Sequence, residues 1–130
     1  MKHSRKGEFY GQTNKTIYLD GITLTDTVYT HDKVDWHYHE HAYFTFILQG
    51  NMIEGNKKET YHCFPGSLLF HNSQEPHYNI KPGEFTRGFH IEIEKEWLDN
   101  LDFNIDFLQG STNLSNPDLK FFNVQAFQGN

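Results

Sequence analysis

The sequence is poor in several features that would place it in large functional classes. A single cysteine, Cys63, leaves no internal disulfide, and nothing indicates an oxidising compartment. With 17 acidic against 11 basic residues, the chain lacks the basic face that nonspecific nucleic-acid binding usually needs. No stretch approaches the ~18 consecutive apolar residues of a membrane span. The basic start MKHSRKGEFYG is not followed by the apolar run of a signal peptide, so we expect a cytoplasmic protein without membrane partners.

The residues that are abundant favour strands over helices. Aromatic residues make up 16% of the chain, with twelve Phe and seven Tyr, and such residues are typical of sheets. A length of 130 residues corresponds to one domain, and a charged fraction of 22% argues against disorder. We therefore predict a single domain over residues 1–130, in which 1–15 form a flexible arm or an edge strand and 109–130 form a tail or the start of a linker.

Alternation of apolar and polar residues predicts many short strands separated by glycine and proline turns. The expected strands cover residues 16–21, 22–30, 36–50, 59–64, 67–72 and 84–94, with a strand also after the turn NSQEP. The expected turns are Asp20-Gly21, Pro65-Gly66 and Pro82-Gly83, and residues 31–35 are expected as a polar loop. This pattern indicates an all-β sandwich or barrel.

The period changes once, near the end of the last long strand. In residues 94–108 the apolar side chains Trp97, Leu98 and Leu101 follow helical spacing, and acidic residues lie at the start, where the helix dipole favours them. We therefore predict one short helix after the strands.

Three histidines, His37, His39 and His41, occupy alternate positions in the segment WHYHEHAYFTFILQG. Side chains alternate between the faces of a strand, so on a regular strand these imidazoles and Tyr43 share one face. Two imidazoles at i and i+2 can bind one metal ion. Histidines on a polar strand face or beside a pocket without any metal are the alternative. The candidates for a third ligand are His71, His77 and Glu75 around the turn NSQEP, together with His62 and His90 on other strands.

The arrangement of these segments resembles the cupins, which are small jelly-roll barrels. Residues that match the two cupin motifs, or stand at their positions, are His37, His39, Tyr43, Gly50 and His77. The segments HYHEHAYFTFILQG, FPGSLLFHNSQEPH and RGFHIEIEKEWL are most similar, in order and spacing, to the sensor domains of AraC-type transcription regulators. The resemblance covers roughly residues 8–108.

This resemblance implies an all-β, cupin-like jelly-roll (double-stranded β-helix) barrel with one short C-terminal helix. It implies an effector-binding and dimerisation domain that is not an enzyme and lacks the helix-turn-helix units through which a parent protein would bind DNA. The expected partners are a small-molecule effector and a second copy of the chain, with no nucleic acid bound by this chain alone. A small stand-alone metal-dependent cupin enzyme, of dioxygenase or isomerase type, is the alternative, and a purely structural dimerisation module is a third.

The resemblance also implies a site. The ligand-binding residues would be His37, His39, Tyr43, His77 and Arg87, and no catalytic residue is assigned. Of these, His37, His39 and His77 would bind a divalent first-row metal ion, although the sequence fixes no cofactor. Tyr43 stands where metal-dependent cupin enzymes carry a carboxylate, and a phenol with a pKa near 10 is a poor ligand at neutral pH.

The role of Arg87 depends on the face of its strand. Its alternation with Phe85, Phe89 and Ile91 places these four side chains on one face. If that face is internal, Arg87 would bind a carboxylate or phosphate of the effector. An ion pair with a carboxylate of the protein, or exposure to solvent at a bulge, is the alternative.

Overall fold

The computed structural model describes residues 1–81, 85–100 and 112–113. The strands are β1 (Lys2–Ser4), β2 (Gly11–Leu19), β3 (Ile22–Tyr29), β4 (Lys33–His39), β5 (Ala42–Gln49), β6 (Met52–Asn56), β7 (Thr60–Cys63), β8 (Leu68–His71), β9 (His77–Ile80), β10 (Thr86–Ile93) and β11 (Thr112–Asn113). One helix, α1 (Lys95–Asn100), follows β10. The prediction of an all-β fold with one short helix is confirmed. Across these described ranges, no helix is long and apolar enough to cross a membrane.

The strands form two sheets that face each other. One sheet has five strands in the order β1-β4-β9-β6-β7, and the other has six in the order β11-β8-β5-β10-β3-β2. The chain changes sheet at seven connections, which are β1–β2, β3–β4, β4–β5, β5–β6, β7–β8, β8–β9 and β9–β10, and this gives the jelly-roll barrel that the sequence predicts. The short strand β1 pairs in parallel with β4 at the edge of the smaller sheet.

The single long strand predicted for residues 36–50 is wrong, because the chain turns a corner at Glu40 and His41. This corner separates β4 from β5, which belong to different sheets. As a result His41 leaves the face that carries His37 and His39, and its imidazole lies 3.9 Å from the Glu40 carboxylate, partly exposed. The break also moves Tyr43 to the opposite wall of the barrel.

Two of the predicted turns are present. Gly21 joins β2 to β3 with a φ of +78°, and a Cβ there would lie 1.8 Å from the Trp97 ring, so both backbone and packing require glycine. Pro65 and Gly66 form the connection before β8, where Gly66 has a φ of +91°. The loop predicted for residues 31–35 is wrong in its second half, because β4 begins at Lys33.

Some predictions fall outside the described residues. They are the turn at Pro82-Gly83, the part of the predicted helix beyond Asn100, and the tail 109–130 apart from Thr112 and Asn113. The described part of the helix packs Leu98 on Ala42, Phe70 and Ile93, on the outer side of the larger sheet.

The interior of the barrel has an apolar end and a polar end. At the apolar end, Ile47, Met52, Cys63 and Leu69 pack together and are all 5% exposed or less. Cys63 is therefore a core residue, consistent with a structural side chain rather than a nucleophile. Histidines, glutamates and threonines fill the other end. The polar end therefore holds the ionisable side chains, and the apolar end supplies most of the packing between the two sheets.

Candidate metal-binding and ligand-binding cavity

A cavity of about 30 Å³ lies at the polar end of the barrel. Both sheets contribute to its lining, which includes His37, His39, Tyr43, Glu54, His77 and His90. Each of these side chains is 3% exposed or less. The cavity therefore places ionisable side chains where water has little access, and their charge states depend on burial and on one another.

Three of the histidines come together because two strands of the smaller sheet are paired. His37 on β4 lies opposite His77 on β9 in the register, and His39 follows on the same face as His37. The ring centroids of His37 and His77 are 4.3 Å apart, and those of His39 and His77 are 5.6 Å apart. One nitrogen of each ring lies within 4.8 Å of a nitrogen of the other two. The structure thus brings together the three residues that the sequence nominates as metal ligands.

The hydrogen bonds of these rings determine which nitrogen is free. The Nδ1 atoms of His37 and His77 lie 2.8 and 3.3 Å from the carbonyl oxygens of Asp35 and Glu75. A carbonyl only accepts, so Nδ1 donates in both rings and Nε2 keeps the lone pair when the ring is neutral. Metal-binding histidines commonly present this arrangement, with one nitrogen bound to a backbone carbonyl and the other available.

Burial keeps the three rings neutral. It is the largest cause of the lowered pKa of His37 and His39, and it brings the pKa of His77 to about 3. The Nδ1 atom of His39 is buried and has no hydrogen-bond partner in the part of the chain that the structure describes. Three neutral imidazoles around one cavity fit a divalent first-row metal ion, which binds the deprotonated nitrogen.

Tyr43 reaches the same cavity from β5. Its ring stacks on His71 at a centroid distance of 4.2 Å, and its hydroxyl lies 3.1 Å from Nε2 of His77. Because Nδ1 of His77 donates to a carbonyl, the Tyr43 hydroxyl donates to Nε2. A metal ion bound at that nitrogen would therefore replace this hydrogen bond. Burial raises the pKa of Tyr43 well above its ordinary value, so the side chain stays a neutral phenol. It therefore lines the site without supplying the negative charge of a carboxylate.

Glu54 on β6 supplies a negative charge that sequence reasoning missed. Nε2 of His71 lies 2.8 and 2.7 Å from its two carboxylate oxygens, and the Asn79 amide donates to Oε1 at 3.0 Å. Burial alone raises the pKa of Glu54, but the charge and hydrogen bond of His71 outweigh it and bring the pKa to about 2. The only local signal is that Glu54 shares a strand face with Met52, and this pattern matches no motif.

The segment before β2 covers the cavity. The Phe9 ring stacks on His90 with a centroid distance of 3.6 Å and on His39 at 4.9 Å. His90 is also held by the Tyr29 hydroxyl, 2.5 Å from Nε2. Residues 1–15 were predicted as an arm or edge strand. The structure shows β1 paired with β4, and the Gly7 amide donating to Glu92 at 2.7 Å.

Arg87 is placed elsewhere, and the prediction that it binds a ligand in the cavity is corrected here. Inner positions on β10 are occupied by Thr86, His90 and Glu92, so the alternating face that carries Arg87 points outward. The guanidinium donates to both carboxylate oxygens of Asp26 on β3, at 2.8 and 2.5 Å. The ion pair considered as an alternative in the sequence is therefore present.

Glu92 gives the fold a predictable dependence on pH. Burial raises the pKa of Glu92 to about 7; the Gly7 amide and Lys6 act to lower it, and Glu40 and Glu8 act to raise it. Between pH ~4.5 and ~7 the folded state thus binds more protons than the unfolded state. The proton on Glu92 therefore stabilises the fold fully below pH ~4.5, and this contribution is lost as pH rises through ~7.

We compare the free energy of unfolding of Glu92→Gln with that of the wild type. We expect the variant's advantage to be about 2 kcal/mol larger at pH 8 than at pH 5. The glutamine oxygen can still accept from Gly7, so the change removes the charge and little else. Urea unfolding of both proteins at several pH values measures the difference. Exposed Glu59→Gln is the control, because Glu59 does not contribute to the pKa of Glu92. A stability difference that stays constant from pH 5 to pH 8 would contradict the expectation.

Comparison with known proteins supports the fold. No family model matches the sequence, and no curated protein matches it. The structure is similar to a cupin-2 domain protein from Shewanella frigidimarina, with a TM-score of 0.53 and 11% identity over 65% of this chain and 85% of that one. The chain has the cupin fold.

Other solved structures give similar values. A cupin superfamily protein from Desulfitobacterium hafniense aligns with a TM-score of 0.53 and 13% identity, over 67% of this chain and 84% of that one. Vicilin from hazelnut, Corylus avellana, aligns with a TM-score of 0.51 and 12% identity, over 58% of this chain and 23% of vicilin. At such low sequence identities the comparison shows the cupin fold alone, so function has to be argued from the site.

Proposed function

We propose that this cupin barrel is a sensor domain that binds a small-molecule effector in the histidine cavity, and that His37, His39 and His77 hold a divalent first-row metal ion there. The observation that carries the proposal is the triad of buried, neutral imidazoles with nitrogens within 4.8 Å of one another. A bound ion would supply a Lewis acid that attracts an anionic or carbonyl oxygen of the effector.

The more specific part of the proposal is that the barrel is the effector-binding and dimerisation domain of an AraC-type transcription regulator. It is supported by the order and spacing of the three segments that resemble such domains. The net charge of -6 also fits a module that does not itself bind DNA. DNA would be bound by helix-turn-helix units of a parent protein in the cytoplasm, and effector binding would shift the population of its conformations.

The size of the cavity limits what can enter it. A volume of about 30 Å³ accommodates an ion or about one water molecule, whereas pockets for small organic ligands measure roughly 300–1,000 Å³. Phe9 covers His39 and His90, and it comes from a segment outside the antiparallel part of the barrel. An organic effector would therefore need Phe9 to leave the cavity, while a metal ion fits with Phe9 in place.

Metal-dependent stability tests the proposal. The protein is stripped with a chelator, dialysed and melted with increasing Co²⁺, Ni²⁺ or Zn²⁺. We expect the melting temperature to rise with concentration, by at least about 5 °C near 100 times the dissociation constant. Mg²⁺ is the control, because it prefers oxygen ligands and should give no shift. Equal shifts with Mg²⁺ would refute a site in which imidazoles bind a first-row ion, and no shift with any of these ions would refute metal binding.

A stand-alone metalloenzyme is the second candidate, and the Glu54–His71 pair favours it because a buried carboxylate and imidazole can serve acid–base chemistry. Turnover of a substrate by the Fe²⁺- or Mn²⁺-loaded protein, lost in His37→Ala, would support this candidate. A ligand-dependent melting shift without turnover would support the sensor.

A further inference from the structure

The ring of Phe9 lies between two histidines that come from opposite walls of the barrel. His39 belongs to the smaller sheet and His90 to the larger one. The Phe9 ring is nearly parallel to both imidazoles, at 26° to His39 and 6° to His90, with centroid distances of 4.9 and 3.6 Å. Since stacked carbon atoms touch at about 3.5–4.0 Å, the space between the imidazoles holds one flat ring. We call this space the ring slot.

The walls of the ring slot are aromatic, fixed and uncharged. Tyr43 meets the Phe9 ring edge-on, at a centroid distance of 5.2 Å and an angle of 75°. The hydroxyl groups of Tyr29 and Thr25 lie 2.5 and 3.4 Å from the two nitrogens of His90 and orient its imidazole. Burial lowers the pKa of His90 to about 3, so its ring is neutral. Parallel and edge-on neutral rings favour an aromatic occupant over a simple ion.

Phe9 is attached to the barrel differently from the residues it contacts. The walls of the slot belong to strands of the two sheets, whereas Phe9 lies in the connection between β1 and β2 and is only half-buried. This connection is tied to β10 by the Gly7 amide, which donates to Oε1 of Glu92 at 2.7 Å. Withdrawal of Phe9 would therefore break that hydrogen bond and leave the strand pairing of both sheets intact.

We propose that the effector is a small planar aromatic compound whose ring replaces that of Phe9 in the ring slot. The space that Phe9 vacates is that of one six-membered aromatic ring, with flat faces on both sides. The chain's own side chain thus occupies the site in place of the effector. The inference rests on the proposed effector site and names the chemical class that this site would take.

Titration of metal-free Phe9→Ala with two amides tests the inference. Benzamide and cyclohexanecarboxamide carry the same substituent, and only the first has a flat ring. We expect the variant to bind benzamide at least about 10-fold more tightly than the wild type does, because no side chain has to be displaced. It should also prefer benzamide to cyclohexanecarboxamide by at least about 5-fold, because only a flat ring stacks on both imidazoles. Equal affinity for the two amides would show that Phe9 merely fills an apolar gap, and would overturn the proposal.

The matched control is Phe64→Ala. Phe64 is 51% exposed and stacks on His62, which does not line the cavity. This variant should bind benzamide as weakly as the wild type does. A gain in affinity equal to that of Phe9→Ala would overturn the assignment of the slot. Melting of the ligand-free proteins checks that both variants fold.

A measurement on the wild type needs no substitution. Benzamide near its solubility limit should shift the amide resonance of Gly7, because withdrawal of Phe9 breaks the hydrogen bond to Glu92. The Gly66 amide is the internal control, since it donates to the Ile47 carbonyl at the apolar end and should not move. An unchanged Gly7 resonance would overturn the proposal even if Phe9→Ala failed to fold.

The outcomes separate this inference from the proposed metal site, because every amide titration is made without metal. If benzamide binds selectively and no first-row ion binds, the ring slot stands and the metal site is refuted. If Co²⁺ binds and neither amide does, the metal site stands and the ring slot is overturned.

Discussion

His77→Ala is expected to lower the affinity for Co²⁺ or Zn²⁺ by at least about 100-fold, the largest effect on binding of any single substitution in the cavity. Two groups of candidate ligands share His77: one is completed by His37 and His39, the other by Glu54 and His71. His77 also lies directly opposite His37 in the register of β4 and β9. Its removal takes away an imidazole nitrogen and also the partner of the Tyr43 hydroxyl. Isothermal titration of chelator-stripped protein measures the affinity.

The matched control for this substitution is His62→Ala on β7. His62 is exposed and stacks only on Phe64 among the described ring contacts, so its loss should leave metal affinity within about 2-fold of the wild type. Melting of the metal-free proteins separates lost ligation from lost folding. Retention of wild-type affinity by a folded His77→Ala protein would show that the three-histidine group is not the binding site.

The parts of this site that the sequence predicts are those carried by local spacing. The i and i+2 relation of His37 and His39 survives because both lie on one uninterrupted strand. His77 was one of several candidates for the third ligand, and only the resemblance singled it out, because no local pattern encodes the pairing of β4 with β9. His41 was grouped with them because an apolar–polar alternation gives no sign of a corner between two sheets.

Arg87 and Glu54 show what alternation cannot provide. The period of β10 correctly places Arg87 with Phe89 and Ile91, but the period does not say which face is internal. In a sheet that packs a polar interior, the usual rule that the apolar face is buried points the wrong way. Glu54 was missed for the same reason, because a charge beside an apolar neighbour on one strand face suggests solvent unless His71 and Asn79 are already known to face it.

Because one end of the barrel interior is polar, the stability of the fold depends mainly on the apolar end. Buried polar groups contribute little net stability even when they are hydrogen-bonded, whereas each fully buried aliphatic side chain contributes roughly 1.5–3 kcal/mol. In the inter-sheet apolar cluster, Ile47 and Leu69 are 0% exposed and come from neighbouring strands of the larger sheet. They meet Met52 and Cys63 of the smaller sheet, so this cluster joins the two walls of the barrel.

Ile47→Ala is therefore expected to lower the free energy of unfolding by about 3 kcal/mol, since the cavity left between two sheets can close only partly. Leu48→Ala is the control, because the next residue on β5 faces outward and is 41% exposed, and it should cost less than about 1 kcal/mol. Urea unfolding measures both values. Equal losses would mean that this cluster does not hold the walls together. Because Ile47 lies at the apolar end, a folded Ile47→Ala protein should keep its metal affinity, so the residues that hold the barrel together and those that bind in it can be changed independently.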